Sequence, residues 1–364
     1  MPDSHVLNSA TCFERDILRQ PLELERALNL LTGALQAHLR RAATLVRQSK
    51  HVFLTGIGAS WHAAMGAGAL FRQQAQPVYL VEAADLLHFA SIPPGAVVIA
   101  LSRTGRSIEI VQLAAKVRDA GAHLVGITNS PDSPLAKESR VALVLPIALD
   151  HAISVNTYST LALAAAVLAT CDNDDFQKIC ETFLLTLRQV PDSIRRWSEA
   201  ILASDWLVPG AACYFLARGP SLASAYESRL LWEEGAKTPA TAMTTSAFRH
   251  GPQEIVTPGM HFCIWIDSLT MRVQDLSVAR DLQKLGARVG LIGQGLPKDS
   301  SDFAFAIPQV PPAWQFVVDI IPMQLAAEAL ARRSGVDCDS FRVCSYIVED
   351  DHGLLGKNGS RNGT

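Results

Sequence analysis

Four apolar runs in the first half of this 364-residue chain recur, in the same order, in the second half. Val52-Phe53-Leu54-Thr55-Gly56-Ile57-Gly58-Ala59-Ser60 has its counterpart in Tyr214-Phe215-Leu216-Ala217-Arg218-Gly219-Pro220-Ser221. Val97 to Thr104 is echoed by Phe262 to Thr270, His123 to Asn129 by Arg288 to Gln294, and Val141 to Pro146 by Phe303 to Pro308. The offsets all lie near 162 to 166 residues. One match would mean little; four in the same order imply duplication. Runs that are apolar on both faces and alternate with helical segments are the pattern of parallel strands joined by helical crossovers, and those crossovers are right-handed. The expected fold is therefore α/β, with two tandem three-layer αβα domains, each built on a mainly parallel sheet.

The expected boundaries are an N-terminal segment at 1–34, a first domain at 35–190, a second at 200–350 and a disordered, Gly- and Asn-rich tail at 351–364. Helical spacing runs from Leu22 to roughly Gln48. A long helical region runs from Thr157 to roughly Trp197 and on to Ala203, with a break and a new N-cap expected at Pro191-Asp192-Ser193. A formal net charge of only -3 gives no reason to expect a nucleic-acid or anionic-membrane partner. The longest apolar stretch, Leu161 to Ala169, is too short to span a bilayer. No basic segment followed by an apolar core opens the sequence, so a cytoplasmic location is expected. The seven cysteines form no CxxC pair and are odd in number, which reads as buried, reduced thiols.

Chemistry is concentrated in two places. Leu101-Ser102-Arg103-Thr104-Gly105-Arg106-Ser107 follows an apolar run and precedes an amphipathic helix beginning at Ile108. Three hydroxyls and free backbone N–H groups at a helix N-terminus suit a phosphate monoester. The loop lacks a Walker lysine and the dinucleotide glycine spacing. Ser and Thr are also ordinary helix caps, so both readings stay open on the motif alone. Gly58-Ala59-Ser60 also falls beyond the carboxyl end of its strand, where open α/β sheets bind ligands. In the second half, Glu227 and Glu234 lie seven residues apart on a helix spanning Ala225 to Glu234, on one face two turns apart. Their alternative is solvated surface charge. His250 precedes Gly251-Pro252, which holds it on a defined loop, and histidine exchanges protons near neutral pH. Its alternative is a surface histidine. No His/carboxylate grouping has metal-ligand spacing, and neither metal nor cofactor is expected; no GxSxG or Cys/His pattern points to covalent hydrolysis.

Gly58-Ala59-Ser60, the Ser102–Ser107 loop, Arg218-Gly219, Glu227 to Glu234, Phe248-Arg249-His250-Gly251-Pro252 and the Glu14…Ile17…Gln20-Pro21 pattern together resemble the sugar isomerase (SIS) family over residues 35 to 350, as two tandem copies. The likeness is greatest to the isomerase half of glutamine–fructose-6-phosphate aminotransferases, without their glutaminase domain, and extends to amino-sugar-phosphate deaminase/isomerases and deglycases. The resemblance implies that Ser60, Ser102, Arg103, Thr104 and Ser107 bind a sugar phosphate. It implies further substrate contacts from Gly58, Ala59, Arg218 and Ser154, the last in a segment, SVNTY, that replaces the family's Thr-Lys pair. Glu234 is then the base moving a proton between C1 and C2, Glu227 a further pocket carboxylate, and His250 the ring-opening residue, contributed across a homodimer interface.

The sequence departs from the aminotransferase pattern at Leu231 and near Cys344, where lysines are expected, and at Ala247, where glutamate is frequent. Lys237 could supply an amine locally. The expected function is a phosphosugar aldose–ketose isomerase, possible coupling to amination or deamination included. A deglycase of a phosphorylated sugar–amine adduct and a non-catalytic phosphosugar-binding protein are the alternatives.

Overall fold

A computed structural model describes residues 10–297, 301–348 and 350; the expected tail at 351–364 and the start of the N-terminal segment lie outside them. The chain forms two compact units, each assembled from three stretches. One comprises Leu22–Leu149, Asn156–Glu181 and the chain from Ser340; the other comprises the chain up to Pro21, Asp150–Val155 and Thr182–Asp339.

Each unit is built on one five-stranded, all-parallel sheet. The first contains β1 (Val52–Thr55), β2 (Tyr79–Leu80), β3 (Val97–Ser102), β4 (His123–Thr128) and β5 (Val141–Val144), in the order β2-β1-β3-β4-β5. The second contains β6 (Cys213–Ala217), β7 (Ala240–Thr244), β8 (His261–Trp265), β9 (Arg288–Gln294) and β10 (Phe303–Ile307), in the order β7-β6-β8-β9-β10. Strand for strand the two arrangements are the same, as duplication requires. All eight expected strands are present. The two unexpected ones, β2 and β7, are edges: Tyr79 is half exposed and every residue of β7 is only partly buried, so neither reads as an apolar run.

The helices, in chain order, are α1 (Cys12–Thr32), α2 (Gln36–Gln48), α3 (Ala59–Gln73), α4 (Ala83–His88), α5 (Ile108–Asp119) and α6 (Pro134–Glu138). They continue with α7 (Asn156–Thr170), α8 (Phe176–Ala203), α9 (Leu222–Glu234), α10 (Thr245–Phe248), α11 (Arg272–Lys284), α12 (Gln315–Val318) and α13 (Ile321–Ser334). The hydrophobic cores repeat as well. Ile110, Leu113 and Val117 of α5 cover Val98 and Leu124 in the first unit, and Ala279 and Leu282 of α11 cover Ile264 and Leu291 in the second. Every residue of α7 is buried, and it packs on the small-residue face of α3.

Three helical expectations are corrected. The first helix begins at Cys12 rather than Leu22, because the Asp339 carboxylate accepts the N–H groups of Cys12 and Phe13 and Thr11 Oγ1 accepts that of Glu14. The long central region breaks at residues 171–175, between α7 and α8, and not at Pro191, which lies inside α8. Ser193 is not an N-cap there; its hydroxyl donates back to the Gln189 carbonyl. All seven cysteines are free, but only four are buried: Cys12 and Cys171, at or beside helix ends, are half-buried, and Cys344 is exposed in the segment after Ser340. No helix among the described residues is long and apolar enough to cross a membrane.

Candidate functional site

Strand order 2-1-3-4-5 creates a switch point beside the first strand, where the two crossovers leave in opposite directions and ligands bind beyond the strands' carboxyl ends. In the first unit the β1–α3 turn and the β3–α5 loop flank that point. Gly58 opens α3 with φ +55°, and Trp61 and His62 donate to its carbonyl. Gly219, its counterpart after β6, has the same φ of +55°. Ser60 is buried one residue into α3.

The loop after β3 is held by its own hydroxyls and by the neighbouring strand. Ser102 Oγ accepts the Gly105 N–H at 3.0 Å and Thr104 Oγ1 that of Arg106 at 3.3 Å. The Arg103 carbonyl receives Thr128 Oγ1, Ser130 Oγ and the Asn129 N–H. Ser107 stands at the N-cap of α5 but its side chain makes no cap bond, so helix capping is not its role. The Arg103 guanidinium donates to the Tyr346 carbonyl at 2.8 Å. Gly105 is required twice over: its φ is +59°, and a Cβ there would lie 2.6 Å from Ser133 Oγ and 2.7 Å from Ser133 Cβ. Gly105→Ala is expected to destabilise the chain by about 3 kcal/mol, combining left-handed backbone strain with overpacking, and to weaken any anion binding by the loop. Urea denaturation checks this; an unchanged midpoint would contradict it.

The equivalent loop of the second unit is closed to anions by its own carboxylates. At the start of α11, Asp267 Oδ2 accepts the Met271 N–H at 2.7 Å, and Asp275 Oδ2 accepts the Asp267 N–H at 3.2 Å. The Asp267 carboxylate already occupies the Met271 N–H at that helix N-terminus, and its negative charge disfavours a phosphate there. Asp275 is fully buried and pairs with Arg218 Nε at 2.7 Å. Burial raises the Asp275 pKa, against the lowering effect of Arg218. Arg218 Nη1 also donates to Ser246 Oγ. Arg218 therefore ties the end of β6 to α11 and to the α10 turn. His250 follows that turn, exposed, with its N–H on the Ala247 carbonyl. Phe248 anchors the turn against Phe262, ring centroids 5.4 Å apart.

Helix α9 carries the two expected carboxylates at different depths: Glu227 is 1% exposed and Glu234 is half-buried. The helix start is fixed from below by Asp319, which is fully buried and accepts Ser224 Oγ at 2.5 Å, Ser221 Oγ at 2.7 Å and Gln315 Nε2 at 3.2 Å. The helix end is fixed by close packing. A Cβ on Gly235 would lie 2.8 Å from the Leu231 carbonyl, 3.3 Å from Ile153 Cδ1 and 3.6 Å from Phe13 Cε1. The Asp150–Val155 segment thus reaches the end of α9, with Ser154 one residue from that contact on one side and Glu234 one residue from it on the other. Asp150 Oδ2 accepts the Val155 N–H and Asp16 Oδ2 that of His151, which clamps the segment to α1. Burial is the main cause raising the Asp16 pKa. Leu231 is buried rather than presented to a ligand. Lys237 holds φ +52°, a conformation that costs a non-glycine residue about 1–2 kcal/mol.

Asp275, Asp319 and the backbone of Lys237 are missing from the sequence reading. The two aspartates left a signal: Asp275 shares the apolar face of α11 with Ala279 and Leu282, and Asp319 interrupts the run Val317-Val318-Asp319-Ile320-Ile321. Among the described residues no group of His, Cys, Asp and Glu is arranged to hold a metal ion.

With this geometry in view, comparison with known proteins is decisive for the first half: residues 45–170 match the SIS domain. Residues 45–170 are a SIS domain. The segment spans β1 to β5, α7 and both hydroxyl-bearing loops of the first unit. A relative from Pyrobaculum aerophilum, named glutamine–fructose-6-phosphate aminotransferase [isomerizing], is 25% identical over 344 residues, covering 92% of this chain and 56% of that protein. The chain thus spans about half the length of the curated relative. The fold beyond the SIS domain is shared too. The C-terminal domain of glucosamine-fructose-6-phosphate aminotransferase from Francisella tularensis superposes with a TM-score of 0.83 at 19% identity, covering 92% of this chain and 99% of that one. Tagatose-6-phosphate ketose/aldose isomerase from Escherichia coli gives 0.77 at 19% identity, covering 93% and 98%.

Proposed function

We propose that this chain is a phosphosugar aldose–ketose isomerase, a reaction whose C2 chemistry admits coupling to amination or deamination. The observation that carries the reading is Glu234: a half-buried carboxylate on the last turn of α9, in a helix end held by the packing of Gly235 against Ile153 and Phe13. The names of the relatives, an isomerizing aminotransferase and a ketose/aldose isomerase, support the same class.

Under this reading the chain is a tandem pair of SIS domains, 35–190 and 200–350. Ser60, Ser102, Arg103, Thr104 and Ser107 take the phosphate, with Gly58, Ala59, Ser154 and Arg218 on the rest of the substrate. Aldose–ketose interconversion removes a proton from carbon beside a carbonyl and returns it to the neighbouring carbon. A carboxylate partly withdrawn from water suits that task, and the phosphate supplies binding energy remote from the reacting carbons. Glu234 moves the proton and Glu227 lines the pocket. The exposure of His250 supports its assignment to ring opening in the neighbouring subunit of a homodimer.

The test uses fructose 6-phosphate in deuterium oxide, followed by proton NMR. Exchange of substrate C–H for deuterium together with formation of an aldose 6-phosphate is expected. A parallel thermal-shift series with hexose and hexosamine 6-phosphates reports binding, since a ligand at 100 times its Kd stabilises by about 2.7 kcal/mol. A chain that binds none of them, or that binds without exchange, would refute the isomerase reading; the second outcome would favour a phosphosugar-binding protein.

A further inference from the structure

The end of α9 departs from the usual way a helix stops. Helices commonly end on a glycine in the left-handed conformation. Here the available glycine, Gly235, keeps a right-handed conformation (φ -85°, ψ -62°), and close contacts with the Leu231 carbonyl, Ile153 and Phe13 leave no room for a side chain at that position. The left-handed position falls two residues later on Lys237, at φ +52°, a backbone conformation that residues with a side chain rarely adopt. Among the described residues Ala75 is the only other non-glycine residue with a positive φ.

The local hydrogen bonds show what this backbone achieves. The Gly235 and Ala236 N–H groups go to the Leu231 carbonyl, and the Thr238 N–H goes to that of Trp232. The chain so turned brings Lys237 Nζ back onto the main-chain carbonyl of Glu234. Carbonyls of a last helical turn lack partners within the helix and sit at its negative end, so an ammonium there is favourable.

We infer that Lys237 is a positioning residue for Glu234: its ammonium clamps the Glu234 carbonyl and fixes the turn from which the carboxylate projects. The inference rests on the proposed role of Glu234 as the base. The lysine makes no bond to substrate in this scheme and forms no covalent intermediate; its amine remains protonated and engaged with the carbonyl. Local backbone strain held in place by its surroundings is a feature of functional sites, and here it has a specific product, the return of the side chain onto the residue that carries the chemistry.

Two variants separate position from stability. Lys237→Ala removes the ammonium but keeps the strained backbone; Lys237→Gly removes both. The melting temperature of the Gly variant is expected to exceed that of the Ala variant by about 2–4 °C, because glycine adopts this φ freely. Both variants are expected to lose turnover of the aldose–ketose exchange about tenfold with KM for fructose 6-phosphate nearly unchanged, and Lys237→Arg is expected to restore most of it. If turnover instead follows stability, recovering in the Gly variant, or if both variants turn over like the parent, Lys237 is structural only and the inference falls. Glu234→Gln, measured alongside, keeps the two claims apart. An inactive Glu234→Gln with fully active Lys237 variants removes only the lysine's role. An active Glu234→Gln removes the base assignment and this inference with it.

Discussion

Glu234→Gln is expected to lower turnover of fructose 6-phosphate about a thousandfold, the middle of the range that a positioned proton-transfer group contributes, while leaving its Kd within about threefold. Glutamine keeps the shape and hydrogen-bonding capacity of the side chain but has no basic carboxylate. The helix itself should be unaffected, because α9 is held elsewhere: by Asp319 through Ser221 and Ser224 at its start, and by the packing of Gly235 against Ile153 and Phe13 at its end. A melting temperature close to that of the parent is the control for this. Steady-state kinetics with a separate equilibrium binding measurement decides the matter. Turnover within tenfold of the parent would remove Glu234 from the base role. Loss of binding together with turnover would recast it as a substrate ligand.

The second large effect concerns pH. Burial pushes the Asp319 carboxyl up to about 7 from its ordinary 3.8, and the hydrogen bonds from Ser224, Ser221 and Gln315, which favour the ionised form, offset only part of that rise. The folded chain therefore holds this proton more tightly than the unfolded chain does. The stability contributed by the group is complete below about pH 4 and is lost as pH rises through about 7. Its full size is about 4 kcal/mol, of which about 3 kcal/mol falls between pH 5 and pH 8. Asp319→Asn cannot ionise, so the difference in unfolding free energy between parent and variant should change by that amount between the two pH values, with the variant relatively more stable at pH 8. Comparing the two chains cancels the other titrating groups. A difference that is flat with pH would show that Asp319 is ionised throughout, its hydroxyl and amide donors outweighing burial.

Much of the fold was legible because parallel strands covered on both faces leave unbroken apolar runs. Phe262-Cys263-Ile264-Trp265 and Val97-Val98-Ile99-Ala100-Leu101 are of that kind, and each has a counterpart in the other half. The edge strands escaped notice because half-buried Ala240-Thr241-Ala242-Met243-Thr244 and the two-residue Tyr79-Leu80 carry no such run. Pro191 misled for a different reason. Proline is a strong local signal against a helix interior, yet α8 continues through it with Ile194 and Trp197 still buried beneath, so tertiary packing outweighs the local penalty. Of the candidate site, the seven-residue spacing of Glu227 and Glu234 correctly put both on α9, but spacing does not report depth, and only one of them is fully buried. The closure of the second anion loop depends on Asp267 and Asp275 meeting one helix start. The left-handed turn at Lys237 depends on the crowding around Gly235. Neither is written in any local stretch of sequence.

The threading of Phe13 and Ile153 against the end of α9 bears on how far this molecule can be divided. A fragment beginning at residue 200 would retain the whole second sheet and all of α9, yet it would lack the residues 10–21 and 150–155 that belong to the same compact unit. Phe13, only 2% exposed, and Ile153, also 2% exposed, would be gone, and Gly235 would face solvent where it now meets side chains. The repeated halves of the sequence are thus not severable modules. The half that carries Glu234 is completed by two pieces of polypeptide that precede it in the chain, and shortening the protein from its N-terminal side should blunt the site long before it reaches the residues that form it.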